Sequence, residues 1–592
     1  MEIRNDTKNE ATEVATEVIA EAKKSKIITG PSGTVYYPVI GLEIHAELKT
    51  ESKMFCSCRN NPDEPQQNKN ICAVCMGHPG TLPVLNKAAI KHVIRVGTAV
   101  GADIADYTEW DRKNYFYPDI PKGYQISQYA YPLVKNGSLK IGDNEVKLTR
   151  IHLEEDTASS SHDHPQDANG QSYSLVDFNR AGVPLMELVT EPVIHDAKTA
   201  GNFAKELQLL LRELGVGDAN MEKGEMRVEA NMSVSTDPRA HDFPYDFKHF
   251  GRKVEVKNLN SFRSAERAIE FELARHIDIL ERAEIFKKDL ISKGIIDVVK
   301  LGYIEKGDLT DEQKAQRNKL TDELKKAGLF IVQETRGFDE TTGKTFSQRA
   351  KEDSHDYRYF PDPDLPKLFI SEIPEFNLET IKAKLPMLPW ERRAKYLNEF
   401  EMKEEDAEMF VQNEMFRKFF EEFTRISGED NAGGNDKNNK NGEKEKVKLG
   451  INYITSDIAG LVKKTGEESI KINAKAFAEI ISMLKAGELS SRGAKDLIAM
   501  FWSDDQAVIE DISAKNPKQI AEEKGFIIKN DPEALKKMIN EVIDSNPTVL
   551  ASYKAGKEAS LQFFVGQIMK LSKGSVNPAI AKEEILKIIA TK

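Results

Sequence analysis

All four cysteines of this 592-residue chain fall within one short window, as Cys56-Ser-Cys58, thirteen intervening residues, then Cys72-Ala-Val-Cys75. Each close-spaced pair can span one edge of a thiolate tetrahedron, which is the pattern of a structural zinc site. The loop between the pairs, Arg59 to Ile71, carries Asn60, Asn61, Pro62, Asp63 and Pro65, polar turn-formers that suit a knuckle closed by metal. Disulfides are the alternative and need an oxidising compartment. No apolar signal peptide precedes the window, so zinc on Cys56, Cys58, Cys72 and Cys75 is the expectation. Four thiolates fill the coordination sphere, so such a zinc pins the chain and does no chemistry itself.

Length, at about 150 residues per domain, suggests three or four domains. A hydrophobic content of 40% with 30% charged residues provides sizeable cores. No run of about 18 apolar residues occurs, which argues against a membrane span. The net charge of −12 excludes a generic nucleic-acid coat but leaves room for a local basic face. Residues 1–35 read as a flexible N-terminal arm with a short helix, since Ala11, Val14, Ala15, Val18, Ile19 and Ala22 share one helical face. The helix carries glutamates and no arginine, unlike a mitochondrial transit peptide, and a cytoplasmic location is expected.

The texture of residues 36–375 is that of an α+β fold. Short strand-like runs such as Pro38–Leu48 and Ser172–Phe178 alternate with Gly/Pro punctuation and with helical stretches at Lys87–Gly101 and Ala197–Leu214. Arg263 to Lys326 is helical and charged, broken at Gly294 and Gly302, with extra helical sequence at about 283–329. From Leu378 onward helix follows helix. Ser427 to Lys446 has no large apolar residue and is expected to be a disordered surface loop.

Four segments concentrate chemistry. In the strand Val39–Leu48, Ile40, Leu42, Ile44, Ala46 and Leu48 take one face and Glu43, His45 and Glu47 the other. That second face suits a metal site or, more simply, solvent. Acidic clusters follow at Arg150–Asp156 and at Asp177–Glu187, each placing carboxylates among apolar neighbours, where an unpaired charge is expensive. Three such clusters suit Mg²⁺, a hard cation with oxygen ligands that bridges phosphates; a structural network through Arg150 and Arg180 is the alternative. Alternation alone does not choose between Glu154 and Glu155. Asp111 to Gln128 mixes Arg112, Lys113 and Lys122 with Tyr115, Phe116, Tyr117 and Tyr124, as suits a nucleotide or an RNA end, or a rigid packing loop. Gly337 to Thr345 imitates a phosphate-binding loop, but five residues separate its glycines where the pattern needs four, so it reads as a hairpin turn.

The strings GLEIHAEL, CAVCMGHPGTLPVLN, DRKNYFYPDIPKGYQISQ, RIHLEEDT, SLVDFNRAGVPLMELVTEP, EVKNLNSFR, DYRYFPDPDLP and VGQIMKLSKGSVNP occur in this order. Together they resemble the GatB family, the B subunits of tRNA-dependent amidotransferases. The related GatE subfamily carries an additional domain for which the insertion here is too short. The resemblance implies a mixed and antiparallel sheet cradle over 36–375, a helical domain over 376–518 and a tRNA-binding tail over 519–592. It also implies a ligase reaction. ATP phosphorylates the side-chain carboxylate of misacylated Glu-tRNA(Gln) or Asp-tRNA(Asn), and ammonia supplied by an amidase (A) subunit, in a heterotrimer with a small C subunit, displaces phosphate. By motif position it assigns Mg²⁺ and catalysis to Glu43, His45, Glu155 and Glu187. Lys113 and Arg180 become phosphate contacts, and Lys554, Lys557, Lys570 and Lys573 of the lysine-biased tail become tRNA contacts. A zinc-stabilised RNA-binding module without catalysis is the competing reading, and only the enzyme requires the four metal residues to converge on one cavity.

Overall fold

The strand Val35–Glu47 (β1) alternates as its sequence dictates: Tyr36, Val39, Ile40, Leu42, Ile44 and Ala46 are buried, while Glu43, His45 and Glu47 are half-buried on the opposite face. It is the central strand of an eleven-stranded sheet in a computed structural model describing residues 26–161, 169–301, 310–350, 357–429, 437–528, 532–572, 576 and 578–591. The expected helix at Ala11–Ala22 lies outside the described residues. Ile28–Thr29, expected to belong to the arm, instead pair with Val35 and Tyr36 at the edge of β1.

Between β1 and the next long strand come helix α1 (Lys87–Ala99) and the hairpin strands β2 (Asp111–Asn114) and β3 (Tyr124–Ser127). The sheet continues with β4 (Asn144–Glu155), β5 (Pro184–Thr190), β6 (Met226–Ser235), β7 (Val254–Leu259), β8 (Glu334–Asp339) and β9 (Lys344–Ala350). The order β9-β8-β7-β6-β1-β5-β4 is antiparallel throughout except for the parallel β7–β8 pair. Residues Glu340–Gly343 form the tight β8–β9 turn, with Gly343 at φ 68°, so the imitation phosphate loop is a hairpin. A third short strand, β10 (Phe360–Pro361), adds to the β2–β3 hairpin.

Helices α2 (Ala197–Glu213) and α3 (Phe262–Ser292) pack on each other, and α3 packs on β6. Their buried rows, including Phe203, Leu207, Leu210, Ile269, Leu273 and Ile277, are repeats at three and four residues, as one apolar helix stripe requires. At about 25 cal/mol per Å² of buried apolar surface, each fully buried large side chain contributes roughly 1.5–3 kcal/mol. These helices belong to the apolar side of the sheet, so the acidic side chains of β1 lie away from them. The expected helical insertion contains the end of α3, a turn at Val298–Leu301, and α4 (Asp311–Lys326) with a Thr310–Gln313 capping box.

The described residues form two compact units, Met1–Leu388 and Pro389–Lys592. The first runs thirteen residues past the expected boundary at Glu375, because the helix Leu378–Ala383 packs against α1, burying Ile381, and Lys87 pairs with Glu375. The second unit is helical throughout. Its last part has its own core, in which Ile539, Ile543, Phe564, Ile568, Ala581 and Ile585 are buried together. The expected disordered loop is corrected at both margins. Ser427 is buried near the end of the helix Glu414–Glu429, and Lys437–Lys446 belong to the helix Lys437–Tyr453. That helix is anchored by buried Val447, Ile451 and Tyr453, and its polar residues extend it backwards; residues 430–436 lie outside the described residues.

Candidate active site and metal centre

The register of the sheet lines up one row across four strands. His45 of β1 lies opposite Glu187 of β5 and Arg227 of β6, and Glu187 lies opposite His152 of β4. Glu43, two residues before His45, faces Glu229, and Glu154, two residues after His152, shares its face. Side chains from four strands thus meet on the polar side. His45 Nε2 is 3.4 Å from Glu187 and 3.5 Å from Glu154, and His152 Nε2 is 3.6 Å from Glu187. Arg150 Nη2 donates to the other Glu187 oxygen at 3.2 Å.

Two donor sets share Glu187: Glu43/His45/Glu187 and His152/Glu154/Glu187, each with its ligand atoms within 4.8 Å of one another. A third, Glu43/Glu229/Glu255, already holds a cation, since Lys257 Nζ lies 2.9 Å from Glu229 and 3.2 Å from Glu255. Within the first two sets, His152 Nδ1 and Glu154 Oε2 are buried without a hydrogen-bond partner among the described residues. An unpaired buried carboxylate oxygen is costly and calls for a ligand. A majority of carboxylate donors with two imidazoles fits a hard divalent cation such as Mg²⁺.

Packed this closely, the groups of the row perturb one another's charges. Burial, and then the negative charges of Glu187 and Glu229, push the Glu43 carboxyl up to about 7. Burial also raises Glu154. His45 is buried too, which would lower it, but Glu187 and Glu154 overcome this and raise it to about 9. His152 is held at about 4 chiefly by burial. Glu187 is the carboxylate kept ionised: against burial, the neighbouring His152, His45 and Arg150 draw it well below the usual range.

Glu43, His45 and Glu187 are therefore brought together as expected, and Glu155 is not. Neighbouring residues on a strand point to opposite faces, so Glu155 turns away from His152 and Glu154. Its carboxylate is bound by the Lys122 ammonium and accepts from Ile126 N at 2.9 Å. Glu154 and His152 were not among the expected residues: their parity puts them on one face, but only the β4–β5 register shows that this is the face Glu187 occupies. Arg180 is also placed differently. It donates to the carbonyl oxygens of Thr157 (3.0 Å) and Ala158 (2.9 Å) and lies 3.8 Å from Asp156, so it braces the turn after β4.

Lys113 stands on the β2 face that carries Tyr115, its ammonium 5.3 Å from the Tyr357 ring centre and 5.9 Å from that of Tyr115. Glu154, Tyr359 and Glu187 outweigh burial and raise its pKa. Among the described residues it has no ion-pair or hydrogen-bond partner. Arg112, on the opposite face, is bound to Asp362 at 2.8 Å and stacks over Tyr124.

The four cysteine sulfurs also converge within 4.8 Å of one another, with Cys72 and Cys75 Sγ 3.9 Å apart and no disulfide. A tetrahedron with Zn–S bonds of about 2.3 Å has edges near 3.8 Å, so the spacing fits zinc. Cys72 N donates to Cys75 Sγ at 3.2 Å. Gly182, at φ 87°, sits where a Cβ would be 3.5 Å from Cys75 and 3.9 Å from Glu155, so the knuckle packs directly on the turn that leads into β5. A cavity of about 200 Å³ between them is lined by Cys56, Cys75, His78, Lys122 and Glu155.

In the second unit, Lys554, Lys557 and Lys570 are exposed on and after the helices Pro547–Lys554 and Ala559–Leu571; Lys573 lies outside the described residues. No described helix is long and apolar enough to cross a membrane.

Residues 38–374 match the family described as the GatB/GatE catalytic domain, and residues 437–589 match the GatB domain. The B subunit of the aspartyl/glutamyl-tRNA(Asn/Gln) amidotransferase of Thermodesulfovibrio yellowstonii is 36% identical over 94% of this chain and 99% of its own. The protein of the same name from Persephonella marina is 36% identical over 93% of this chain and 100% of its own, and that from Thermotoga neapolitana 35% over 94% and 99%. Matches on this scale, over a sheet whose family motifs meet at one acidic row, show that the chain belongs to the GatB family of amidotransferase B subunits.

Proposed function

We infer that the acidic row is the phosphoryl-transfer centre of a tRNA-dependent amidotransferase, in which this chain is the B subunit of a heterotrimer with an amidase and a small C subunit. The carrying observation is the convergence of Glu43, His45, Glu154 and Glu187 on one face, with the charges of Glu154 and Glu187 reaching the Lys113 ammonium, which has no ion-pair or hydrogen-bond partner among the described residues. In the reaction, a side-chain oxygen of the glutamyl or aspartyl group on tRNA attacks the γ-phosphorus of ATP. The bond to the bridging oxygen breaks and ADP leaves. Ammonia then attacks the acyl carbon, phosphate departs with the electron pair, and the nitrogen loses a proton to give the amide.

Glu43, His45, Glu154 and Glu187 would hold Mg²⁺, with His152 behind Glu187. Bound there, the metal supplies positive charge that neutralises the phosphate oxygens. Lys113 binds an anionic oxygen from the opposite side; its aromatic walls limit where the ammonium can move, so little reorganisation is needed when charge shifts. Arg150 and His152 orient Glu187. Cys56, Cys58, Cys72 and Cys75 would hold zinc, which fixes the turn into β5 through Gly182. The tail core presents Lys554, Lys557 and Lys570 to tRNA phosphates, and a cytoplasmic setting suits the reaction. Lys113→Met in the complete complex tests the arrangement. Amidation with ammonium chloride as nitrogen source should fall by roughly 100-fold, the scale expected for one positioned charge, with tRNA affinity retained; wild-type turnover would remove Lys113 from the site.

A further inference from the structure

The segment Tyr357–Asp364 runs antiparallel beside β2, the strand that carries Lys113. Phe360 pairs with Arg112 and Pro361 with Asp111, so the next rung of that antiparallel register sets Tyr359 opposite Lys113. Asp362 N donates to Trp110 O at 2.8 Å, Asn114 N donates to Tyr357 O at 2.9 Å, and Asp362 binds Arg112. Side-chain alternation then divides the small sheet into two faces. One carries Arg112, Phe360 and Asp362. The other carries Lys113, Tyr115, Tyr357 and Tyr359.

Tyr359 has the closest ring stack of these. It stacks on Tyr129 with centres 4.1 Å apart and planes 8° from parallel, and it meets Tyr357 edge-on at 6.0 Å. The register that sets it opposite Lys113 places its side chain on the same face of the small sheet as that ammonium. The charges that reach the phenol are those of Lys113, Glu154 and Glu187, which are the members of the site itself. A phenol is protonated at neutral pH, so this hydroxyl is available as a donor.

We propose that Tyr359 is a further catalytic residue, whose hydroxyl donates a hydrogen bond to the phosphoryl oxygens held between Lys113 and the acidic row. The proposal rests on the reading of that row as the phosphoryl-transfer centre. The chemistry explains why a phenol suits this place. Lys113 brings charge but little directionality, whereas a neutral hydroxyl on a fixed ring brings direction without adding charge to a row already crowded with carboxylates. Tyr129 is the positioning residue: it touches Tyr359 and sets the ring plane.

The test uses the complete heterotrimer with glutamyl-tRNA(Gln), ATP and ammonium chloride as probes. Tyr359→Phe keeps the ring and its stack, so folding is preserved. It should lower kcat for phosphorylation at saturating ATP by roughly tenfold or more, the scale of one lost transition-state donor, with tRNA affinity and glutamine hydrolysis by the amidase subunit within twofold of wild type. Tyr129→Phe, which also keeps the stack, should stay near wild type, and Tyr129→Ala should reproduce the Tyr359→Phe loss in kcat. Wild-type kcat in Tyr359→Phe would overturn the proposal, as would a loss confined to tRNA affinity, which would make Tyr359 a stacking wall for the tRNA end. Glu187→Gln run in parallel separates the two levels. If it is inactive while Tyr359→Phe is normal, only this proposal fails; if it is fully active, the reading of the row fails first.

Discussion

Glu154 and Glu155 are neighbours on β4 and face opposite ways. Glu154 lies 3.5 Å from His45 in the acidic row, whereas Glu155 is clasped by Lys122 beside the cysteine knuckle. The two substitutions should therefore fail differently. Glu154→Gln should fold normally and lose roughly 100-fold in phosphorylation rate, because a ligand position is neutralised. Glu155→Gln leaves a buried ammonium unpaired, a defect of about 3–5 kcal/mol, and should show first as a lower thermal midpoint. Denaturation scans beside single-turnover assays on both variants decide it; equal stability with a rate loss only in Glu155→Gln would exchange their roles.

The knuckle predicts about one zinc per chain. Metal analysis by mass spectrometry on the double variant Cys72→Ser, Cys75→Ser should find it gone. With all four positions filled by thiolates, zinc loss acts on the fold, so stability should fall more than the rate of the chemical step in the surviving folded fraction. Full zinc retention in the double variant would remove the site.

Away from the acidic row, Glu272 of α3 makes the first unit acid-sensitive. Burial works against its carboxylate, but His276 at 3.5 Å and the two-pronged Arg275 guanidinium bring it down to about 2. A carboxyl lowered on folding contributes stability above its unfolded value of 4.5, and this is lost as pH falls towards 2. The shift corresponds to about 3 kcal/mol. Glu272→Gln should therefore lower the thermal midpoint clearly at pH 7 and progressively less as pH drops from about 5 towards 2. A pH-independent difference would contradict the assignment.

The tail lysines predict a salt effect. Replacing Lys554, Lys557 and Lys570 by alanine should weaken tRNA binding and flatten its log-log salt dependence by roughly one unit for each lost phosphate contact. Titration at several salt concentrations measures it. An unchanged slope would place the tRNA backbone elsewhere.

Much of this was legible in residues. The alternation of GLEIHAEL gives both faces of β1, and the cysteine spacing gives the knuckle, because period and spacing are local properties. What sequence could not supply was register. Whether His152 or Ile151 stands across from Glu187 depends on how β4 slides along β5, and that decides between Glu154 and Glu155. The backbone contacts of Arg180 were hidden for a related reason: that it donates to the carbonyls of Thr157 and Ala158 depends on how the turn after β4 folds. The polar stretch at 427–446 failed differently. Its composition forbids a core of its own, but the apolar Val447 and Ile451 that follow carry the helix back into it. Tyr359 carries no local signal; only the pairing of β10 with β2 brings it to Lys113.

The central claim is that the acidic row is where phosphate is transferred. The most direct measurement is single-turnover ADP release by the complete heterotrimer on glutamyl-tRNA(Gln), with no nitrogen donor present, comparing wild type with Glu187→Gln. Wild type should release about one ADP per charged tRNA bound. Glu187→Gln should release none on that timescale while still binding the tRNA and supporting glutamine hydrolysis by the amidase partner. ADP release at the wild-type rate from Glu187→Gln would show that the row is structural and that the phosphoryl group is transferred elsewhere.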